Sequence, residues 1–277
     1  MSETPNPYPQ GQIMAGKRGV VMGVANKNSI AWAIAQQLAA QGAELAFTYI
    51  EAMEKRVRPL AEELGVTQLI PADVTSDESM EAAFATLKDE WGSLDFLVHA
   101  IAFSDKEELK GSFVENTSRA NFARSMDVSA YSFVDACRRA APMMSEGGSL
   151  VTLTYLGSER VIPSYNVMGV AKAALEASTR YIARDLGPQG IRVNAISAGA
   201  VRTLSLGGIS GGRSLLSEAK AWAPLRRDTE VEGVAGAALY LLSDLGRSCT
   251  GEVLHVDAGF HIVGMPDEDA IKASREG

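Results

Sequence analysis

The sequence is poor in the residues that staple or metallate a fold. It has two cysteines in 277 residues, Cys137 and Cys249, far apart and without CxxC spacing. That argues against a disulfide framework or a cysteine zinc site and fits a reducing compartment. Three histidines (His99, His255, His261) and no HExxH argue against a metal hydrolase. Cations are short as well. Lys plus Arg is 26 against 34 for Asp plus Glu, a net charge of −8. Nonspecific nucleic-acid binding needs clustered Lys and Arg, so it is a poor fit. The longest apolar runs are strand-length, too short for a hydrocarbon core of ~30 Å. What remains is ordinary globular composition, 46% apolar and 22% charged, which excludes a mainly disordered or collagen-like chain.

Residues 1–15 are rich in Pro and polar groups and lack the basic start and apolar core of a signal peptide. They are expected to form a flexible lead-in. From Lys17 on, short apolar runs alternate with helical patterns. Strands are expected at 18–25, 43–49, 67–74, 94–103, 149–156, 191–198 and 252–257. Helices are expected at 29–41, 51–64, 76–91, 118–144, 165–186 and 231–242. Strands apolar on both faces, each separated by a helix, predict a single α/β domain with a doubly wound parallel sheet of about seven strands, Rossmann-type. The domain should run over 16–265, with a tail at 266–277. Two irregular stretches, Ser104–Thr117 and the Gly-rich 200–224, follow strands. Both should border a site, the second as a lid.

Gly23-Val-Ala-Asn-Lys-Asn-Ser29-Ile30 joins the first strand to the first helix. Its unpaired N–H groups suit a pyrophosphate. It is not GxGxxG, and an ordinary strand–turn–helix with Ser29 as cap fits equally well. Asp73-Val74, after the third strand, can receive an adenine edge, or Asp73 can cap the next helix. No Arg directly follows Tyr49-Ile50-Glu51, which leans to NADH over NADPH. Tyr165 and Lys172, seven apart, would lie close to two turns apart on one helix face. A nearby ammonium lowers a phenol's pKa, and Tyr165 can then serve a carbonyl as proton donor or oxyanion stabiliser.

With Thr152-Leu-Thr-Tyr155-Leu-Gly, Tyr165-Asn-Val-Met168-Gly-Val-Ala-Lys172, Arg192-Val-Asn-Ala-Ile-Ser-Ala-Gly199, Pro224-Leu-Arg-Arg and Gly251-Glu-Val-Leu-His-Val-Asp257, the chain resembles a short-chain dehydrogenase/reductase. More closely it resembles the bacterial enoyl-[acyl-carrier-protein] reductase of the FabI type. The likeness runs from about Gly16 to Met265. It implies NADH delivering hydride to the β-carbon of a trans-2-enoyl thioester in cytoplasmic fatty acid synthesis. Tyr165 would stabilise the enolate oxygen, Lys172 would hold the nicotinamide ribose, and Tyr155 would sit beside the substrate. The family's cofactor positions carry over to Gly23, Ser29, Ile30, Ile50, Asp73, Val74, Ile101, Lys172, Val201, Arg202, Thr203, Leu204 and Ser205. Its substrate positions carry over to Ser104, Tyr155, Tyr165 and Met168, although Met168 also reads as core filling.

The resemblance further implies a homotetramer, acyl carrier protein as partner and inhibition by triclosan-like diphenyl ethers. The chain departs from the family pattern at Ile50 (commonly Gln), Ala100 and Ala102 (commonly Ser and Gly), Ser104 (often Ala), Ala200 (commonly Pro) and a lid that keeps few cations. A ketone reductase of the same superfamily is the alternative. It would place a Ser where Thr152 stands and an Asn where Ser129 stands. A non-catalytic dinucleotide sensor would lose Tyr165 or Lys172, and both are present. His99 reads as a hydrogen-bonded core residue, His255 as packing near the last strand, and Trp222 as lid packing or an interface anchor.

Overall fold

The computed structural model describes residues 7–201, 212–269 and 271–272, and for 212–215 the backbone alone. Seven strands form one parallel sheet: β1 Arg18–Met22, β2 Glu44–Tyr49, β3 Gln68–Pro71, β4 Phe96–His99, β5 Gly148–Thr154, β6 Ile191–Ala198 and β7 Val253–Val256. Their order is β3-β2-β1-β4-β5-β6-β7. The principal helices are α1 Ile30–Ala40, α2 Glu54–Glu63, α3 Asp77–Trp91, α4 Phe113–Asn116, α5 Arg119–Met126, α6 Ser132–Ala140, α7 Val167–Leu186, α8 Gly212–Trp222 and α9 Val231–Leu242.

Central strands are apolar on both faces because both faces are covered. Val21, Phe47, Phe96, Val98 and Ile196 pack with Ile34 and Leu38 of α1, Val57 and Leu60 of α2, and Val234 and Leu241 of α9. Val20, Met22, Leu97, Leu150 and Val193 pack with Met80 and Phe84 of α3, Phe133 of α6 and Leu175 of α7. Right-handed crossovers alone produce this layering.

Three expectations change. The lead-in is packed over its described second half. Tyr8 and Met14 are buried, Gly11 N–H donates to Ala40 O at 2.9 Å, and Gln41 Nε2 donates to Pro9 O at 2.8 Å. The helix expected at 118–144 is broken by a π-turn at Asp127–Tyr131. Widened turns of this kind recur at functional sites. This one sets Ser129 Oγ against the loop after β4, accepting from Phe103 N at 2.9 Å and donating to Phe103 O at 3.1 Å. The lid stretch contains α8, so its described second half is helical rather than irregular.

His99 confirms its core reading. It is fully buried, with Nε2 2.8 Å from Ser132 Oγ and Nδ1 3.1 Å from Thr152 Oγ1. Both hydroxyls also serve the backbone, Ser132 Oγ donating to Val128 O at 2.7 Å and Thr152 Oγ1 to His99 O at 3.3 Å. Burial, with Lys172 adding, pushes His99 down to about 3. The unfolded chain therefore binds a proton that the native state refuses between about 6.5 and 3. Stability is complete above that window and falls as pH drops through it, by roughly 5 kcal/mol in total. Urea unfolding at a series of pH values checks this, and His99→Gln should flatten the slope.

Candidate active site

The carboxyl ends of β1 and β4 adjoin where strand order reverses, the place ligands occupy in open α/β sheets. Gly23 turns there with φ +98, and a Cβ on it would lie 2.2 Å from Ala100 O. Only glycine lets the turn press against the end of β4. Ser29 caps α1, accepting from Trp32 N at 3.2 Å, and donates its own proton to Asn26 O at 2.8 Å. The hydroxyl is thus committed to the turn. Any phosphate there meets backbone N–H groups of the first helical turn, beginning at Ile30.

At the end of β3, the cap of α3 is Ser76, which accepts from Ser79 N. Asp73 instead closes an Asx turn, its Oδ1 accepting from Thr75 N at 2.9 Å and Thr75 Oγ1 at 2.7 Å. These bonds hold its carboxyl below the usual range. Val74 is half-buried beside it and Ile101 is half-buried after β4. Ile50 ends β2 with about half its surface in solvent and offers no polar atom.

Tyr165 lies two residues before the helix it is expected to begin. The helix starts at Val167, and Tyr165 sits between Ser164 (φ 59) and Asn166 (φ 39). Two non-glycine residues in the left-handed region are strained, and such strain clusters at active sites. Asn166 Nδ2 donates to Glu108 O at 3.2 Å, tying this turn to the 104–117 stretch. The Tyr165 ring meets Tyr155 edge-on, with centroids 5.0 Å apart. Gly157 makes room for it, since a Cβ there would fall 2.4 Å from Tyr165 Cδ1. Gly157→Ala should therefore displace the ring and cut turnover by about 10²-fold, with NADH affinity close to wild type. Steady-state kinetics with an NADH titration separate the two.

The expectation that Lys172 lowers the Tyr165 pKa does not hold. Burial pushes the Tyr165 phenol up, and the charges of Tyr155 and Glu176 push it further. Lys172 is buried, its Nζ donating to Leu153 O at 2.7 Å. Burial brings it down to about 8, against the opposing pull of Glu176. Tyr155 is pushed up by burial and by Asp257. The site thus holds two phenols kept protonated and a buried lysine brought down to about 8.

The structure gathers most of the expected residues and leaves some aside. Met168 is buried with Leu109, Val167 and Tyr165, its Sδ 3.9 Å from Ser129 Oγ. Ser104 is tied to α5, accepting from Asn121 Nδ2 at 3.1 Å. Val201 is buried. Arg202, Thr203, Leu204 and Ser205 lie outside the described residues. Tyr155 shares a narrow hollow of ≈ 10 Å³ with Ala200, Leu216, Lys220, Asp257 and Phe260, so the lid helix does border the site. Trp222 packs toward Phe260, centroids 6.3 Å apart, which fits its lid-packing reading. Cys137 and Cys249 are free thiols.

Sequence reasoning missed Gly157, Gly169, Thr154 and Glu176. Gly169 had a visible signal, being a glycine inside a helix. A Cβ on it would lie 2.6 Å from Gly157 O. Glu176 also had one, a carboxylate one turn beyond Lys172 on an otherwise buried stripe.

The likeness to known proteins matches this geometry. A family profile described as Enoyl-(Acyl carrier protein) reductase matches residues 23–261. The enoyl-[acyl-carrier-protein] reductase [NADH] 2 of Rhizobium meliloti is 57% identical over 95% of this chain and 98% of its own. The FabI enoyl-[acyl-carrier-protein] reductase [NADH] of Rickettsia bellii is 53% identical over 91% and 96%. Among solved structures, the reductase of Anaplasma phagocytophilum in complex with NAD superposes with a TM-score of 0.91 at 58% identity, covering 94% of this chain and 99% of that one. The Bacillus cereus reductase with NADP+ and an indole naphthyridinone gives 0.90 at 51% identity, covering 92% and 100%. A glycine turn at the strand-order reversal, an edge-on tyrosine pair, a buried lysine on the following helix and this near full-length likeness converge: the chain belongs to the enoyl-[acyl-carrier-protein] reductase family of short-chain dehydrogenases/reductases.

Proposed function

We propose that this protein reduces trans-2-enoyl thioesters to acyl thioesters with NADH, within bacterial type II fatty acid synthesis. The observation that carries the reading is the fate of Thr152. A ketone reductase needs a hydroxyl there to hold the reacting carbonyl. Here Thr152 is fully buried and its Oγ1 is engaged with His99, while Tyr155 extends from the next turn against Tyr165.

The residues present fit a dinucleotide. The Gly23 turn leaves no space for a Cβ, the first turn of α1 offers N–H groups, and Asp73, Val74 and Ile101 line the adjacent strand ends. Lys172 would hold the nicotinamide ribose. NADH, when bound, supplies the hydride. The protein's part is to receive charge on the thioester oxygen as the β-carbon is reduced. Tyr165, kept protonated by burial, donates a hydrogen bond to that oxygen, a contact that strengthens as the enolate forms. Lys172 carries a positive charge below about pH 8. Tyr155, Met168 and the loop at Ser104 shape the acyl side. The test is NADH consumption with crotonyl-CoA against acetoacetyl-CoA, each repeated with NADPH. Crotonyl-CoA with NADH should be the preferred pair, and preference for the ketoacyl thioester would overturn the reading.

The assembly and partners belong to the same proposal. Phe122, Tyr131, Val170 and Tyr181 leave apolar surface exposed on α5, the π-turn and α7, which suits a homotetramer. Acyl carrier protein is the carrier of the substrate, met near Arg213 and Lys220 at the lid. A triclosan-like diphenyl ether would occupy the space beside Tyr165. The enzyme works in the cytoplasm.

A further inference from the structure

Two consecutive residues at the end of β5 are gripped by two side chains one turn apart on α7. Leu153 O accepts from Lys172 Nζ at 2.7 Å, and Thr154 Oγ1 donates to Glu176 Oε1 at 2.6 Å. The next residue is Tyr155. Lys172 and Glu176 are each 6% exposed. A carboxylate buried this deeply in an apolar helix face costs several kcal/mol unless something repays it. Nothing in the reaction as proposed above uses this carboxylate.

Two titratable groups interact with Lys172, His99 and Glu176, and three more, Tyr165, Tyr155 and Asp257, act on one another or on Glu176 nearby in the site. His99 of β4 is neutral, with both ring nitrogens bonded. Tyr165 and Tyr155 are protonated phenols, and Asp257, at the end of β7, acts on Tyr155. Glu176 is the group whose negative charge acts on Lys172. We infer that Glu176 is a positioning residue for the reduction: buried one turn beyond Lys172 on α7, it supplies a counter-charge to that ammonium and, through Thr154, fixes the strand end that presents Tyr155. The inference rests on the proposed cofactor role of Lys172.

The test is the NADH dissociation constant of the full-length protein, by fluorescence, across pH 6 to 10. The wild-type chain should bind with constant affinity at low pH and weaken as Lys172 loses its proton. Glu176→Gln removes the charge and keeps a hydrogen-bond partner for Thr154. Its weakening should begin about one pH unit lower, a loss of about tenfold on the limb. Thr154→Val keeps the charge and breaks the bond, so it should lower the melting temperature without moving the limb. Glu176→Met, apolar and of similar length, serves if the amide variant does not fold. An unmoved limb in the charge-free variant, or an equal shift in Thr154→Val, overturns the inference. Failure of the wild-type chain to bind NADH would instead overturn the cofactor role of Lys172.

Discussion

Lys172→Ala is expected to weaken NADH binding by about 10- to 100-fold, the worth of one or two charge-assisted hydrogen bonds. Turnover should fall further, since the proposed role sets the same ammonium near the charge that develops on the substrate. The side chain is buried and spans from α7 to Leu153 O. Its loss strands that carbonyl and leaves the Glu176 carboxylate without its counter-charge. Leaving a buried carbonyl unsatisfied costs about 1 to 3 kcal/mol, so the variant should also melt earlier. Lys172→Arg keeps the charge but not the reach of a slender ammonium into this pocket. It should recover stability less well than its charge suggests. NADH titration, steady-state kinetics and thermal melting separate the three losses. Unchanged cofactor affinity and unchanged turnover in Lys172→Ala would refute the role assigned here.

Tyr165→Phe should behave differently. The ring stays, so its edge-on contact with Tyr155 and its seat over Gly157 survive. Stability and NADH affinity should stay near wild type. The oxygen that meets the developing enolate is gone, and such donors are worth about 10²- to 10³-fold in turnover. The pH profile adds a second check. Burial holds the Tyr165 phenol above its ordinary value while Lys172 is brought down to about 8. The alkaline limb of the wild-type rate should therefore follow Lys172, not Tyr165, and Tyr165→Phe should keep the same limb at a lower plateau.

The parallel sheet was legible because its strands carry Val, Ile and Leu on both faces and its crossovers carry helical periodicity. Elements such as β6 and α9 fall at their expected residues. The turn at Gly23 was legible as a turn, but not as a contact. Its demand for glycine comes from Ala100, 77 positions away in sequence and adjacent only in the sheet. The π-turn was invisible because the 118–144 segment keeps an unbroken helical pattern, and the extra residue is stabilised by Ser129 bonding a distant loop. Tyr165 was found by its spacing to Lys172, yet the reason for that spacing was wrong. The residue is not on the helix, and its phenol is governed by burial rather than by the lysine. Glu176 was overlooked because a glutamate on a helix usually faces solvent. Its burial follows from how α7 lies on β5, which local pattern does not encode.

Deuterium labelling tests the central claim, that the chain delivers hydride to the β-carbon while Tyr165 holds the enolate. Crotonyl-CoA is reduced with NADH carrying deuterium at the transferred position, and the butyryl product is read by NMR or mass spectrometry. The account predicts the label on the β-carbon, with the α-carbon taking its hydrogen from solvent. Label on the carbonyl carbon, or incorporation only from acetoacetyl-CoA as a hydroxyacyl product, would contradict it.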